Sequence, residues 1–255
     1  MKLTFIGAGN VATHLAQAFH QTEEHQVVQV ISKTIVSAER LAESVNAPYS
    51  TNIFDLNEDT DIIFICVPDG EIDSISTQIK LTGKIVVHTS GATSINVLRG
   101  KFEDYGVFYP LQTFTKGVPV SIADVPICIE ANQNNIENKL RELAKALSYN
   151  VTILTSEQRE KLHVAAVFAG NFTNYLYKAA EDIMLEHGLN FNLLKPLIQQ
   201  TANKINYLTP DEAQTGPAIR NDQETINRHL QILKSSPKYG ELYRIISEQI
   251  RKSKG

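Results

Sequence analysis

The sequence predicts an α/β protein, with a doubly wound, mostly parallel sheet in residues 1–154 and an all-helical domain in residues 155–255. Three observations lead to this prediction. Short apolar runs alternate with helical patterns as far as Leu154, as expected of strands and helices that form a parallel sheet. No clear strand pattern follows Ser156. A glycine-rich turn joins the first strand pattern directly to the first helical pattern.

The glycine-rich turn follows the apolar run of residues 3–6 and has the form Gly7-x-Gly9-x-x-Ala12. A strand, a glycine turn and a helix in this order are typical of Rossmann-like dinucleotide sites. Gly7 allows the tight turn, Gly9 lets a diphosphate approach the backbone, and Ala12 lets the helix pack on the strand. The N–H groups at the start of a helix favour an anion. The cofactor-binding residues predicted here are Gly7, Gly9, Asn10, Val11 and Ala12.

The residues after the second apolar run, 27–31, bear on the choice of cofactor. An NAD site places an acidic residue here, whereas this chain has Ser32, Lys33 and Thr34. Hydroxyl groups and an ammonium suit the 2′-phosphate of NADP, which an acidic residue would repel. The sequence therefore favours NADP over NAD, and the alternative is a solvated turn that binds nothing.

Further apolar runs predict the rest of the sheet. The carboxyl ends of parallel strands border the ligand crevice in open α/β sheets. Val67, Pro68, Ser90 and Gly91 lie at two of these ends and are assigned to cofactor binding, and Gln112 follows a third. An ordinary turn is the alternative at each position. The predicted strands cover residues 61–67, 84–88, 107–109, 126–130 and 151–154.

Residues 162–172 predict a helix that is apolar around nearly its whole circumference, which indicates burial against the first domain and a partner subunit. Three polar residues, His163, Asn171 and Asn174, interrupt this surface. Buried polar groups need partners, because each unsatisfied one costs about 1–3 kcal/mol. These three residues could hydrogen-bond a neighbouring loop or contact a substrate. Other helices are predicted at residues 193–207, at 223–234 and from Pro237 onward.

The candidate catalytic residues are His163, Asn171 and His88. Hydride chemistry with a nicotinamide needs a proton donor, and the chain has no zinc-binding motif to polarise a carbonyl. His163 is the candidate proton donor or carbonyl polariser, and Asn171 would orient the substrate. His88 would line the nicotinamide side, or backbone groups could satisfy it within the sheet.

The candidate substrate-binding residues are Gln112, Asn174 and Arg220. Gln112 follows a strand end and offers a polar group, although it could belong to a plain loop. Arg220 could clamp a carboxylate with two parallel hydrogen bonds. The alternative is an ordinary salt bridge with Asp222 or Glu224.

The composition limits the class of partner. The net charge is −4, from 24 basic and 28 acidic residues, which argues against nucleic acid or an anionic membrane as the main partner. Cys66 and Cys128 lie in apolar strand patterns and have neither disulfide nor metal-ligand spacing, so no metal site is predicted. No signal-peptide pattern and no run of membrane-spanning length is present. We therefore expect a cytoplasmic protein that acts on a small molecule.

Four motifs in this order resemble a bacterial family of NADP oxidoreductases. They are His88-Thr-Ser-Gly91, Tyr109-Pro-Leu-Gln-Thr-Phe114, the segment 163–172, and Gly216-Pro-x-x-Arg-x-Asp222 with His229-Leu230. The resemblance spans essentially the whole chain. It implies a Rossmann-like domain and a helical domain, with an architecture similar to that of pyrroline-5-carboxylate reductase, ketopantoate reductase and 6-phosphogluconate dehydrogenase. It also implies a homodimer formed by the helical domain and a site between the domains.

One departure from these relatives affects the chemistry. The hydroxyacid dehydrogenases carry a Lys-x-x-x-Asn pair on the corresponding helix, whereas Ala165 follows Lys161 here by four residues. Their catalytic pair is therefore not carried over. The sequence predicts an NADP-dependent oxidoreductase for a small polar carbonyl, imine or hydroxy acid, without specifying the substrate or direction. The alternatives are a non-catalytic NADP sensor or scaffold and a deazaflavin reductase.

Overall fold

The computed structural model of the protein describes residues 1–253. The chain forms two compact units, one from Met1 to Phe172 and one that begins at Thr173. The first contains a sheet covered by helices, and the second is helical throughout the described residues. This confirms the predicted fold class, a doubly wound and mostly parallel sheet followed by an all-helical part.

The first unit has one eight-stranded sheet with the strand order β3-β2-β1-β4-β5-β6-β7-β8. All neighbouring strands are parallel except β6 and β7, which are antiparallel. The chain winds outward from β1 on one side and from β4 on the other, so a ligand crevice is expected beyond the carboxyl ends of these two strands. The strands are β1 (Lys2–Ile6), β2 (Gln26–Ile31), β3 (Tyr49–Ser50), β4 (Ile62–Ile65), β5 (Ile85–His88), β6 (Asp104–Pro110), β7 (Ile127–Ala131) and β8 (Val151–Ile153).

Each strand predicted from an apolar run is present in the structure. The two-residue strand β3 was not predicted, because so short a segment has no hydrophobic period to detect. The helices of the first unit are α1 (Asn10–His20), α2 (Ile35–Ser44), α3 (Ile72–Gln78), α4 (Asn134–Lys145) and α5 (Ser156–Ala166), and a π-helical segment (Val167–Phe172) follows α5.

The core of the first unit lies on both faces of the sheet. Phe5 and Phe64 stack with their ring centroids 4.8 Å apart, and Phe64 meets Phe108 edge to face at 5.4 Å. These rings pack on one face, and Ile63 packs with Ile72 of α3 on the other. Because both faces are covered, the strands are continuous apolar runs rather than alternating ones.

The last strand, β8, ends at Ile153, but the first unit continues to Phe172 and so includes α5. Thr155 and Gln158 form a capping box at the start of this helix. Arg159 is 1% exposed and forms an ion pair with Glu130 of β7. The same guanidinium donates to the carbonyl of Thr93. These contacts hold the start of α5 against the sheet.

The second unit has a small core of Ala179, Leu233 and Tyr239, with Ile183 and Tyr243 packed against it. The helices predicted at residues 193–207, at 223–234 and from Pro237 are present with shifted ends. Its helices are α6 (Thr173–Glu186), α7 (Lys195–Lys204), α8 (Pro210–Ala213), α9 (Gln223–Ile232) and α10 (Pro237–Lys252).

The single chain does not bury the apolar helix predicted over residues 162–172. Val164 is 55% exposed, Phe168 64% and Phe172 51%. The described chain therefore covers only part of this surface, and its burial by a partner subunit stays a prediction. Within residues 1–253, no helix has both the length and the hydrophobicity to cross a membrane.

Candidate active site

The first part of the site is the glycine turn between β1 and α1. Gly7 has φ +106°, and a Cβ atom there would overlap the carbonyl oxygen of Cys66, directly after β4. Its N–H donates to the carbonyl of Ile31 at 2.7 Å. Val67 is the next neighbour, 3.4 Å from the Cβ position. Gly7 is therefore required by the close packing of the turn against β2 and β4.

Gly9 has a different role, because a Cβ atom on it would meet no protein atom within 4 Å. It immediately precedes α1 and has no side chain to occupy the N–H groups of the first helical turn. Ala12 is fully buried, and Val11 packs against the core. The backbone therefore lies close to the sheet on one side and is open on the other, which fits the diphosphate of a dinucleotide.

Ser32, Lys33 and Thr34 follow β2, as predicted, and Thr34 immediately precedes α2. Lys33 Nζ forms an ion pair with Glu71 Oε1 at 2.6 Å. Glu71 belongs to a short 3₁₀ turn that Pro68 precedes. Both side chains of the pair are solvent-exposed, at 72% and 36%, so separating them costs about 0–1 kcal/mol. Lys33 can therefore be released to bind a phosphate at little cost.

His88 lies at the carboxyl end of β5 with no exposed surface. Its Nδ1 accepts a hydrogen bond from the N–H of Ser90 at 3.2 Å. Burial, with a smaller contribution from the charge of Arg159, lowers the pKa of His88 to about 3. The neutral ring therefore supports the turn that contains Gly91 and has no open surface for a substrate.

The Ser90 hydroxyl organises the same turn. Its oxygen accepts hydrogen bonds from the N–H groups of Ala92 at 3.1 Å and Thr93 at 2.9 Å. The sequence prediction assigned Ser90 to the cofactor. The structure places its hydroxyl in hydrogen bonds that hold the turn after β5 and thereby position Gly91.

Gly91, Tyr109 and His163 come together at the carboxyl ends of β5 and β6. Tyr109 Oη and His163 Nδ1 are 3.2 Å apart, within hydrogen-bond distance. A Cβ atom on Gly91 would lie 2.6 Å from His163 Nδ1 and 2.8 Å from Tyr109 Cζ. Only glycine at this position lets the two rings lie directly against the turn. We call these three residues the tyrosine–histidine cluster.

Tyr109 was not among the predicted site residues. Its aromatic ring continues the apolar run of β6, so the sequence pattern indicates a core residue. The available signals were its position at a strand's carboxyl end and its place in the motif Tyr109-Pro-Leu-Gln-Thr-Phe114. Burial raises the pKa of Tyr109 above its usual range, so the phenol stays protonated at neutral pH.

Arg159 was also missed, because it lies in a charged segment at the start of α5 that resembles a solvated helix end. Glu130 accepts from both Arg159 and the backbone N–H of Ser156, the latter at 2.9 Å. Arg159 and His163 are one helical turn apart and lie on the same face of α5. The buried ion pair therefore fixes the face of α5 that carries His163.

The other predicted residues are more exposed. Asn171 lies in the π-helical segment, where a Cβ atom on the adjacent Gly170 would lie 3.1 Å from Thr113 Cγ2. Gln112 Oε1 accepts from the N–H of Thr113 at 2.8 Å. Asn174 is exposed and lies in the second unit.

Arg220, another predicted substrate residue, is exposed in the second unit. Asp222 Oδ1 caps α9 by accepting from the N–H of Thr225 at 3.0 Å. Across residues 1–253, the ion pairs do not include Arg220. The salt bridge considered as an alternative for this residue is therefore not formed.

Two family descriptions match the chain. Residues 2–91 match the family described as NADP oxidoreductase coenzyme F420-dependent. Residues 125–250 match a domain of unknown function, DUF2520. The first range contains the glycine turn, Lys33 and Gly91, and the second contains Glu130, Arg159 and His163. No protein with a curated description matches the chain.

Solved structures match along the whole chain. A Bacteroides fragilis protein described as a putative NADP oxidoreductase is 39% identical, with a TM-score of 0.94 and 98% of each chain covered. An imine reductase from Myxococcus stipitatus in complex with NADP⁺ is 20% identical, with a TM-score of 0.66 and coverage of 99% and 94%. A 1-pyrroline-5-carboxylate reductase from Streptococcus pyogenes is 12% identical, with a TM-score of 0.66 and coverage of 99% and 98%. The last two similarities show the fold alone.

Proposed function

Because this chain belongs to the same family of NADP oxidoreductases as the Bacteroides fragilis protein, we propose that it transfers hydride between NADP(H) and a small polar substrate. The substrate would be a carbonyl, an imine or a hydroxy acid. The observation that carries the proposal is the tyrosine–histidine cluster, which lies in the same compact unit as the glycine turn.

The cofactor would be held at the ends of β1 and β2. Gly7 and Gly9 shape the turn for the diphosphate, and the start of α1 supplies backbone N–H groups. Lys33 would exchange Glu71 for the 2′-phosphate, with hydroxyl groups from Ser32 and Thr34 beside it. When bound, NADPH supplies the hydride. The Lys33 exchange supports NADP rather than NAD.

The tyrosine–histidine cluster would handle the proton. When hydride adds to the carbon of a carbonyl or imine, the oxygen or nitrogen needs a proton. The phenol O–H of Tyr109 can donate to His163 Nδ1, which places the ring proton of neutral His163 on Nε2. The Nε2–H group would then polarise the substrate and donate the proton that its oxygen or nitrogen needs. Tyr109 therefore joins His163 as a proposed catalytic residue, and His88 is a positioning residue.

The proposed substrate contacts are Gln112, Asn171, Asn174 and Arg220. Arg220 has a guanidinium group without an ion pair in the described chain, which suits a substrate that carries a carboxylate. Asn171 and Asn174 offer amide groups on consecutive turns of the helical segment. If an assignment is correct, the alanine variant of that residue should have a higher KM for the substrate and an unchanged affinity for NADPH.

We also propose a homodimer formed by the helical part. The helical part exposes many large apolar side chains, and a large exposed apolar surface usually marks an interaction site. Light scattering of the purified protein should give twice the chain mass, and Leu193→Glu with Leu197→Glu should lower it. The exposed side chains in this part include Tyr175, Leu176, Leu185, Leu189, Leu193, Leu197, Ile205 and Tyr207.

The oxidoreductase proposal is tested by incubating the protein with NADPH and a panel of small carbonyls, imines and keto acids. A deazaflavin belongs in the panel, because the family description of residues 2–91 includes coenzyme F420. Oxidation of NADPH with at least one acceptor supports the proposal. Tight binding of NADPH without turnover across the panel would favour the non-catalytic sensor or scaffold.

A further inference from the structure

The loop between β6 and β7 contacts the glycine turn through Phe114. Asn10, the first residue of α1, donates from Nδ2 to the carbonyl oxygen of Phe114 at 2.8 Å. The Phe114 ring is 7% exposed and stacks on His14 of α1, with the ring centroids 4.6 Å apart. His14 Nε2 also lies 3.3 Å from the carbonyl oxygen of Val118. We call residues 111–120 the strap.

The strap carries a cation to the centre of the glycine turn. Lys116 Nζ donates to the carbonyl oxygen of Ala8 at 2.6 Å, and Ala8 lies between Gly7 and Gly9. This partner is a neutral carbonyl. Within residues 1–253, no carboxylate forms an ion pair with Lys116. A full positive charge is therefore held beside the turn without a counter-charge from the chain.

We propose that Lys116 is a ligand of the cofactor's diphosphate and that the bound diphosphate holds the strap more firmly on the glycine turn. This inference rests on the proposed function, and it adds a binding residue that lies outside the glycine turn. An ammonium held beside backbone N–H groups is suited to an oxyanion, because charge-assisted hydrogen bonds are about twice as strong as neutral ones. Lys116 has a flexible stem, so its Nζ can move from the Ala8 carbonyl to a phosphate oxygen.

The strap also links the two parts of the candidate site. It begins directly after the strand that carries Tyr109, and Thr113 lies against Gly170 beyond α5. Lys116 thus lies only seven residues after Tyr109 of the tyrosine–histidine cluster. Binding of the diphosphate would order the segment that borders the reacting groups.

Lys116 and Lys33 have separable effects on binding. The diphosphate is common to NADPH and NADH, whereas the 2′-phosphate belongs to NADPH alone. Replacement of Lys116 therefore lowers the affinity for both nucleotides by the same factor and leaves their ratio unchanged. Replacement of Lys33 changes the ratio.

The experiment measures the Kd of NADPH and NADH by calorimetry for the wild type and for Lys116→Met, Lys116→Arg and Lys139→Met. Lys116→Met should weaken both nucleotides about tenfold, and Lys116→Arg should retain most of the affinity. Lys139→Met removes the same charge from α4 and should bind like the wild type. Unchanged binding by Lys116→Met, or a loss confined to NADPH, would overturn the inference.

Hydrogen exchange gives a second readout that does not depend on the variants. NADPH should slow amide exchange in the strap of the wild type, whereas 2′-AMP, which lacks a diphosphate, should not. Equal protection by both ligands, or protection by neither, would contradict stabilisation of the strap by the diphosphate. A wild-type protein that binds neither NADPH nor NADH would refute the proposed function itself, which is a distinct result.

Discussion

The imidazole Nδ1 of His163 lies 3.2 Å from the phenol oxygen of Tyr109, 54 positions earlier in the chain. Gly91 makes this approach possible, because it has no side chain between the two rings and the turn after β5. Arg159, one turn before His163, is buried in an ion pair that orients α5. The Tyr109–His163 contact is therefore supported by the turn after β5 and by the ion pair that joins α5 to β7. This support favours a fixed geometry at the candidate site.

Gly7 and Gly9 of the glycine turn should respond differently to replacement by alanine. Gly7→Ala should destabilise the protein by several kcal/mol or prevent folding, because the residue has positive φ and its Cβ would overlap Cys66. Gly9→Ala should leave the free energy of unfolding within about 1 kcal/mol of the wild type, and it should weaken NADPH binding. Denaturant titration and calorimetry separate the two effects. Equal NADPH affinity in Gly9→Ala would contradict the assignment of this turn to the diphosphate.

Lys33→Glu should reduce the affinity for NADPH relative to NADH by about tenfold or more, because it places a carboxylate beside the 2′-phosphate. Glu71→Gln should strengthen NADPH binding modestly, because Lys33 no longer needs to leave an ion pair. Lys80→Glu, at another exposed lysine, is the charge-matched control. An unchanged ratio of the two Kd values in Lys33→Glu would remove the 2′-phosphate assignment.

The Arg159–Glu130 pair should dominate the stability of α5. Arg159→Met should cost about 3–5 kcal/mol, because Glu130 is left with an uncompensated charge, and kcat should fall as His163 loses its support. Lys161→Met breaks the exposed pair with Glu157 and should cost less than about 1 kcal/mol. The double variant Arg159→Met with Glu130→Gln should recover part of the loss. Additive losses in the double variant would argue against a coupled pair.

His88 should make stability depend on pH. Its pKa is about 3 in the folded protein and about 6.5 when unfolded, so between these values the unfolded chain binds a proton that the folded chain does not. The free energy of unfolding should therefore decrease as the pH falls from 6.5, by several kcal/mol in total. Urea titrations of His88→Gln should show a shallower slope below pH 6.5. An identical slope would show that His88 is not a neutral buried group.

Much of the fold could be predicted from sequence because local signals agreed with tertiary structure. The apolar runs form strands covered on both faces, and the glycine turn has at Gly7 the positive φ that a tight turn of this kind uses. Arg159 and Tyr109 escaped prediction for a physical reason. A charge in a helical first turn is usually solvated, and an aromatic ring in an apolar strand is usually core, so only the partners Glu130 and His163 reveal their roles.

Lys116 gave no sequence signal, because its role depends on where a loop after β6 crosses the chain. The residue touches Ala8, which is 108 positions away, and no local period or motif reports such a contact. The strand order places β4 and β5 between β1 and β6, so the loop after β6 has to cross two strands to reach the turn after β1. Asn171, Asn174 and Arg220 were predicted as site residues from their polarity, and all three are exposed. Polarity alone does not distinguish a substrate contact from a solvated surface residue.

The most direct test of the account measures kcat and the Kd of NADPH together for the wild type, His163→Ala and Tyr109→Phe, with an acceptor found in the panel. We expect His163→Ala to lower kcat about 10²–10³-fold at an unchanged Kd for NADPH, and Tyr109→Phe to lower it less. These losses would place proton handling at the tyrosine–histidine cluster. A wild-type kcat in both variants, with NADPH still bound, would contradict the central claim.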